Sequence, residues 1–361
     1  MQHYEDVVSS RARRLMIGVA VLGVAQGVLS QAALAQATYR AIPLGSLGTG
    51  TYAADINETG EVSGSSTLTP PQQHAFLYTT PPGSSQPVMI DLGTLGGRDS
   101  NGYGINDSGS VVGTAQTSDG SKHAFVRNKG GAMTDLHPLL GGDLSSATAI
   151  NNSGNVVGTL RGVDMVSRAF LLVGQTRISL GTLGGQDSFA TAINLADQVV
   201  GTSDVANGDD HAFLYNRTNG LMTDLGTLGG TTSYATDISD SGFVAGYSAL
   251  PNSSIRAFRY SQSTGMVNLG TLAGGGPSRG SGVNSAGQVV GWALGSDFTL
   301  RAFIYTDGQM WDLNELAEQS LPVGVQLTDG VAINDRGWIV ATAENGSSGA
   351  EESYLLMPVT N

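Results

Sequence analysis

The chain contains no cysteine, so no disulfide staples it and no thiolate is on hand as nucleophile or metal ligand. Charged residues supply only 13% of it and aromatic residues 6%. The scarce charge is lopsided, with 17 Lys+Arg against 30 Asp+Glu and a formal net charge of -13. Residues 1–35 hold Arg11, Arg13 and Arg14 against Glu5 and Asp6, which leaves the remainder near -14. Such a surface repels phosphate backbones and excludes nucleic acid as a partner. Long apolar runs are missing too, with one exception, Leu15 to Leu29, and that run is shorter than the roughly 20 residues a bilayer span requires. No stretch of the repeat described below carries an apolar period of 3.6, which predicts a chain without helices there. Stability must therefore come from burial between strands, for which 40% apolar residues suffice.

The one apolar run follows a basic segment and ends at Ala33-Leu34-Ala35, the order of a secretory leader with small residues at the cleavage site. Residues 1–35 are expected to be a signal peptide and residues 36–361 a single domain, exported to the periplasm or the medium. No membrane span is expected after cleavage. Arg13-Arg14 matches a twin-arginine leader only loosely.

What the chain has in abundance is glycine, 52 residues, at fixed places in a repeat. The stretch DLGTLGGTTSYATDISDSGFVAG, Asp224 to Gly246, sets the pattern. Aligned on its first leucine, the repeat recurs at Leu44, Leu92, Leu136, Leu180, Leu225, Leu269 and Leu313, with spacings of 48, 44, 44, 45, 44 and 44. A second column reads Ile56, Ile105, Ile150, Ile193, Ile238, Val283 and Ile333, each followed by Asn except Ile238, which precedes Ser239. A third is a triplet: His74-Ala75-Phe76, His123-Ala124-Phe125, Arg168-Ala169-Phe170, His211-Ala212-Phe213, Arg256-Ala257-Phe258 and Arg301-Ala302-Phe303, decayed to Ser353-Tyr354-Leu355 in the last copy. Repeats start near residues 43, 91, 135, 179, 224, 268 and 312.

One repeat reads as four short strands, Ser233–Ile238, Phe243–Tyr247, Arg256–Tyr260 and Met266–Gly270 in the fifth copy, separated by turn residues. Four antiparallel strands in about 44 residues match a propeller blade better than a β-helix coil, whose parallel strands need no hairpins. The expected fold is an all-β, seven-bladed β-propeller. A lone fourth-type strand, Thr38 to Gly45, stands at one end, and a third-type strand, Tyr354 to Pro358, lacks its neighbour at the other. Pairing the two completes the last blade and removes both edges. Small residues suit the first strand to the axis, and the Phe column suits the gaps between blades.

With the triplet, the Leu-Gly-Thr-Leu-Gly-Gly element and the Ile-Asn-x-x-Gly turn together over residues 37 to 359, the chain resembles the HAF family of probable extracellular repeat proteins. The resemblance implies export and repeat architecture, and it carries no catalytic residue. Arginine replaces the triplet histidine at Arg168, Arg256 and Arg301.

Three sets of residues are candidates for chemistry. The His/Arg column lies in separate blades, away from the axis, which disfavours a shared metal. Pairing across the third and fourth strands is expected instead, His74 with Asp91, His123 with Asp135, His211 with Asp224 and Arg301 with Asp312; Arg256 would face Asn268 and Arg168 would face Ser179. The second set is a hydroxyl column, Thr51, Ser100, Ser145, Ser188, Ser233, Ser278 and Thr328, with Asp99, Asp143 and Asp187 upstream. These are channel-mouth ligand candidates, against the plainer reading that each hydroxyl bonds backbone where the chain enters the inner strand. Third, the Ile-Asn-x-x-Gly turns and the loop Asp204 to Asp210 invite calcium, but the closing Glu of a helical calcium loop is missing, and Asn and Asp suit positive-φ turn positions. No metal site and no cofactor are assigned.

Outside the columns, the loops between second and third strands vary most, as do the extra residues between Leu313 and Thr328. Trp292, Trp311 and Trp338 all fall in the last two repeats and are expected to pack between blades. No serine stands in a nucleophile elbow, and His137 alone among the repeats lies outside the triplets, so a Ser-His-Asp site lacks support. The reading favoured is a monomeric, non-catalytic binding module for a glycan or an extracellular protein. Its rival is a propeller-type polysaccharide hydrolase or lyase with carboxylates at the channel mouth.

Overall fold

A computed structural model describes residues 38–346 and 351–359; the expected leader, residues 1–35, lies outside the described residues. The repeat folds as the alternation of short β-rich runs and glycine turns requires. Seven four-stranded antiparallel sheets form, and each sheet is one blade of a seven-bladed β-propeller. In the fifth blade the strands are Ser233–Ile238, Val244–Ala249, Ile255–Ser261 and Gly265–Asn268, within two residues of the sequence expectation at every end. First strands line the axis and fourth strands form the rim.

The ring closes as the two lone strands suggest. Thr38–Pro43 lies antiparallel to Glu351–Val359, with Thr38 opposite Val359 and Pro43 opposite Tyr354. It supplies the outermost strand of the seventh blade. The insert after Leu313 covers it: Ser320 Oγ accepts from the Ala41 N–H at 2.8 Å and donates to the Tyr39 carbonyl at 3.1 Å.

Each blade buries its apolar face against its predecessor, because a four-stranded sheet alone cannot hide both sides. Phe213 packs with Val157, Ala169, Leu171 and Leu180 of the blade before it. Phe258 and Phe303 repeat the arrangement one and two blades on, and Tyr354 takes the seat in the seventh. Trp311 and Trp338 pack at the edges of such clusters.

Two short helices, α1 (His137–Leu140) and α2 (Leu313–Ala317), correct the expectation of a helix-free repeat. Proline opens the first. The second starts at Asp312, whose side chain accepts from the Asn314 N–H and caps it, with Glu315 in the favourable first turn.

Candidate functional site

One face of the propeller carries the turns between second and third strands and the entries to the inner strands; the other carries the Ile-Asn-x-x-Gly hairpins. On the first face the carboxylates meet the triplet side chains. His74 Nδ1 lies 2.9 Å from Asp91, His123 Nδ1 and His211 Nδ1 each 2.8 Å from Asp135 and Asp224, and Arg301 Nη1 donates to Asp312 at 2.9 Å. Each of these carboxylates also accepts a backbone N–H two residues on, such as Gly226 to Asp224 at 2.7 Å. Arg256 and Arg168 behave otherwise. Lacking a carboxylate opposite, their guanidinium groups donate to Gly275 and Gln186 carbonyls on the way into the next blade, not to Asn268 or Ser179.

The hydroxyl column is buried and committed to backbone. Ser100, Ser188, Ser233 and Ser278 accept from the Ala75, Ala169, Ala212 and Ala257 N–H of the preceding blade at 2.9, 3.0, 2.9 and 3.0 Å. Each donates to the glycine carbonyl of its own entry loop, at 2.5 to 2.7 Å. Ser145 accepts from Ala124 at 3.0 Å and meets His137 Nδ1 at 3.1 Å. These hydroxyls therefore staple blade to blade. Thr51 donates to Gly45 at 2.5 Å, and the staple to its neighbour comes from the opposite side, where Ser353 Oγ accepts from the Ala53 N–H at 2.9 Å. Thr328 is displaced: a bulge between Leu327 and Asp329 puts Leu327, fully buried, at the serine's place in the ladder. Asp99 and Asp187 accept the Gln73 and Ser167 N–H of the preceding blade at 3.2 and 2.7 Å, and Asp143 is exposed.

The turn asparagines hold the other face together, a role the sequence reading missed. Each Oδ1 caps its own turn, as Asn57 does toward the Thr59 and Glu61 N–H. Each Nδ2 reaches the next blade: Asn57 to Asn106 O, Asn106 to Asn151 O, Asn151 to Asn194 O, Asn194 to Ser239 O, Asn284 to Asn334 O and Asn334 back to Asn57 O, at 3.0 to 3.2 Å. Ser239 breaks the girdle, and Ser241 Oγ to Ser285 O at 3.0 Å bridges the gap. These asparagines are not at positive φ; the glycine of each turn is, with Asp197 replacing it once at φ 55.

At that face the channel narrows to a cavity of about 250 Å³ whose charged lining residues are all acidic, Asp55, Glu58, Asp237, Asp240 and Asp335. Asp55 accepts the Ile56 and Ile105 N–H at 2.8 and 2.9 Å, and Asp237 the Ile238 and Val283 N–H at 2.8 Å. Burial pushes their carboxyls up to about 7 and about 6, with mutual repulsion adding to the first. Asp329, bonded to Ser281 Oγ at 3.2 Å, is raised by burial to about 7 against the opposing pull of Arg279. Among the described residues no group of three or more His, Cys, Asp or Glu side chains is placed to hold a metal ion. In the loop Asp204 to Asp210 the carboxylates meet Tyr234 Oη, Asn207 Nδ2 and the Asp187 N–H.

A larger cavity lies on the first face at the seam between blades seven and one. It measures about 840 Å³ and is lined by Tyr52, Pro70, Pro71, Gln73, Glu344, Asn345 and Glu351, with Thr49, Thr67 and two glycines, and among the described residues by no Lys, Arg or His. Glu344 and Glu351 stand directly opposite each other in the ladder, a like-charge pair that costs stability unless something neutralises it. Tyr52, 40% exposed, donates to Glu351; partial burial and that carboxylate push its hydroxyl up to about 12. The sequence marked both flanking loops as variable but did not bring Tyr52 and the two glutamates together.

No family model matches the sequence, and no curated protein matches it. Solved structures do. The β-propeller domain of the trilobed protease from Pyrococcus furiosus aligns with a TM-score of 0.56 at 9% identity, over 86% of this chain and 98% of that one. YCF48 bound to D1 peptide aligns at 0.53 and 12% identity, over 92% and 100%. The acylaminoacyl peptidase of Pyrococcus horikoshii aligns at 0.54 and 9% identity, over 86% of this chain; the chain spans about half of that peptidase, 52%. At such identities the likeness is one of fold. Among the described residues no helix is long and apolar enough to cross a membrane.

Proposed function

We propose that the chain is an exported binding module of the HAF type, acting as a monomer, whose ligand seats in the cleft between blades seven and one. The observation that carries this reading is the cleft itself. Its volume of about 840 Å³ lies in the range of ligand sites, and it sits where the repeat is least regular. An aromatic wall, amides, hydroxyls and two carboxylates without a base select a neutral or positively charged ligand and reject an anionic one. The leader features at Arg11 to Ala35 support export, and YCF48 bound to D1 peptide is a propeller of this fold with a bound ligand.

The test is calorimetric titration of residues 36–361 with neutral oligosaccharides, amino-sugar oligosaccharides and basic peptides, repeated with Tyr52→Phe and Glu351→Gln. A seam ligand should lose about tenfold in affinity with either variant, and Asp143→Asn, on the same face but away from the seam, should bind unchanged. Ligands bound equally by all variants would sink the proposal.

The facing pair Glu344 and Glu351 favours one second reading, a retaining polysaccharide hydrolase, in which two carboxyls about 5 Å apart flank the bond cleaved. Release of reducing ends from polysaccharide, abolished in Glu351→Gln, would establish it; binding without turnover by the unmodified chain leaves the module.

A further inference from the structure

The turns between second and third strands share one geometry in five blades, closed by an N–H of the first residue to the carbonyl of the fifth: Thr117 to Ser121, Gly162 to Val166, Val205 to Asp209, Leu250 to Ser254 and Gly295 to Thr299. The fourth residue of each is left-handed, Gly120, Met165, Gly208, Ser253 and Phe298, with φ from 63° to 87°. A side chain at such a φ is disfavoured because Cβ crowds the following carbonyl. Glycine fills the position twice, as folding alone would favour. Phe298 fills it with a bulky ring that is 78% exposed and contributes nothing to the core. Met165, 63% exposed, makes the same double departure in blade three; a backbone cost and an apolar cost at one position point to recognition, and Phe298 is the one that stands beside the seam.

Phe298 is not isolated. Leu300, two residues on, is 41% exposed, and Val323 is fully exposed. The segment from Val323 to Gln326 ties the two places together. Gln326 Nε2 donates to Leu300 O at 2.9 Å, and the Gly346 N–H donates to Gly324 O at 2.9 Å. Gly346 is also a wall of the seam cleft. Exposed apolar side chains thus stand on the blade-six turn and on the insert, both tied by these bonds to the strands that wall the acidic cleft.

Given the cleft as the binding face, we propose that its occupant is an extended segment of a partner protein that sets a Lys or Arg between Glu344 and Glu351 and lays large apolar side chains on Phe298, Leu300 and Val323. Charge complementarity fixes the first half, since the cleft holds two facing carboxylates and no base. The exposed rim fixes the second: a hydroxyl-rich oligosaccharide has no use for Phe298 or Val323, whereas a peptide carrying a basic residue near apolar ones engages both. Contacts of this kind concentrate binding energy in an aromatic anchor and a charge pair.

The experiment is selection of a randomised twelve-residue peptide library on immobilised residues 36–361, with counter-selection on the Glu344→Gln, Glu351→Gln, Phe298→Gly triple variant. Enriched peptides should carry Lys or Arg within a few residues of Phe, Leu, Ile or Met. Synthetic copies should lose about tenfold or more in affinity when the basic residue becomes Gln, or when the protein carries Phe298→Gly alone. Phe298→Gly should fold at least as well as the unmodified chain, with Tm unchanged or raised by about 1 to 3 °C, so its loss of binding is not a loss of structure. Enriched peptides without a basic residue, or none beyond those the triple variant retains, overturn the inference. Tyr52-dependent binding of an oligosaccharide without any peptide would overturn it while leaving the cleft reading standing; if neither class depends on the seam, both fall.

Discussion

In the fourth blade the second strand passes the inner strand at Gly201, where an added Cβ would collide with the Phe189 carbonyl oxygen; in the seventh blade the same place in the ladder holds Ala341. The difference is resolved one strand inward. The inner strand of blade four runs in register from Ser188 to Ala190, while that of blade seven has an extra bulge between Leu327 and Asp329, with Gly330 opposite Ala341. The bulge removes the hydroxyl that would staple blade seven to blade six. Leu327 fills the space, and Asn314 of α2 takes over its backbone, accepting from the Leu327 N–H at 2.7 Å and donating to its carbonyl at 2.9 Å. The regular blades hold together by a polar bond at a fixed place; the last substitutes packing and a helix, and the cleft opens beside it. The irregular blade thus carries both features: its altered staple faces blade six, and the candidate cleft opens on its other side, toward blade one, where Thr51 also departs from the staple pattern.

The largest effect that probes this comparison is removal of an inter-blade ring. Phe213→Ala should lower stability by about 3 to 5 kcal/mol in urea unfolding, and a loss under 1 kcal/mol would show that blades do not depend on that ring. Next, Gly201→Ala should cost about 3 kcal/mol, since backbone must move, whereas Ala341→Gly should cost about 1 kcal/mol. Equal losses would break the account of the bulge.

The channel carboxyls come third. Asp55, Asp237 and Asp329 have folded values raised to about 7, 6 and 7, above the unfolded range near 4. The folded state therefore binds protons the unfolded chain has released, so their contribution is full below about pH 4 and fades as pH rises through 6 to 7. Allowing for channel water, the chain should be about 2 kcal/mol more stable at pH 5 than at pH 8, and Asp55→Asn with Asp237→Asn should flatten most of that slope. A steeper slope in the double variant would contradict the assignment. Smallest is the staple: Ser188→Ala leaves the buried Ala169 N–H without its acceptor and should cost about 1 to 2 kcal/mol, measured by thermal unfolding, while Thr328→Ala in blade seven should cost under 0.5 kcal/mol.

Much of this was legible in the sequence. The strand columns, the Phe seats and the closing strand follow from period and residue size, which act locally and repeat. What was not legible depends on geometry between blades. Asn106 looks like a turn residue because its Oδ1 is one, and nothing local tells that its Nδ2 reaches Asn151. Counting back from Ile333 lands on Thr328, since a bulge shifts register without changing the count of residue types. Tyr52 and Glu351 are some 300 positions apart in the chain, and only closure brings them together. The helix after Leu313 did leave a local trace, Asp312 with Glu315 three residues on, the pattern of a capped first turn.

Closure of the ring also sets an order of events. Thr38 must find Val359, so the last sheet to form joins residues from the first and last parts of the domain, a contact of extreme sequence separation that carries the heaviest loop-closure entropy. Without that pairing, Glu351–Val359 would present an open strand edge and the blades would form an open arc. Folding of this chain should therefore end in a slow, concentration-sensitive phase, in which two arcs can exchange their first strands as readily as one arc can accept its own.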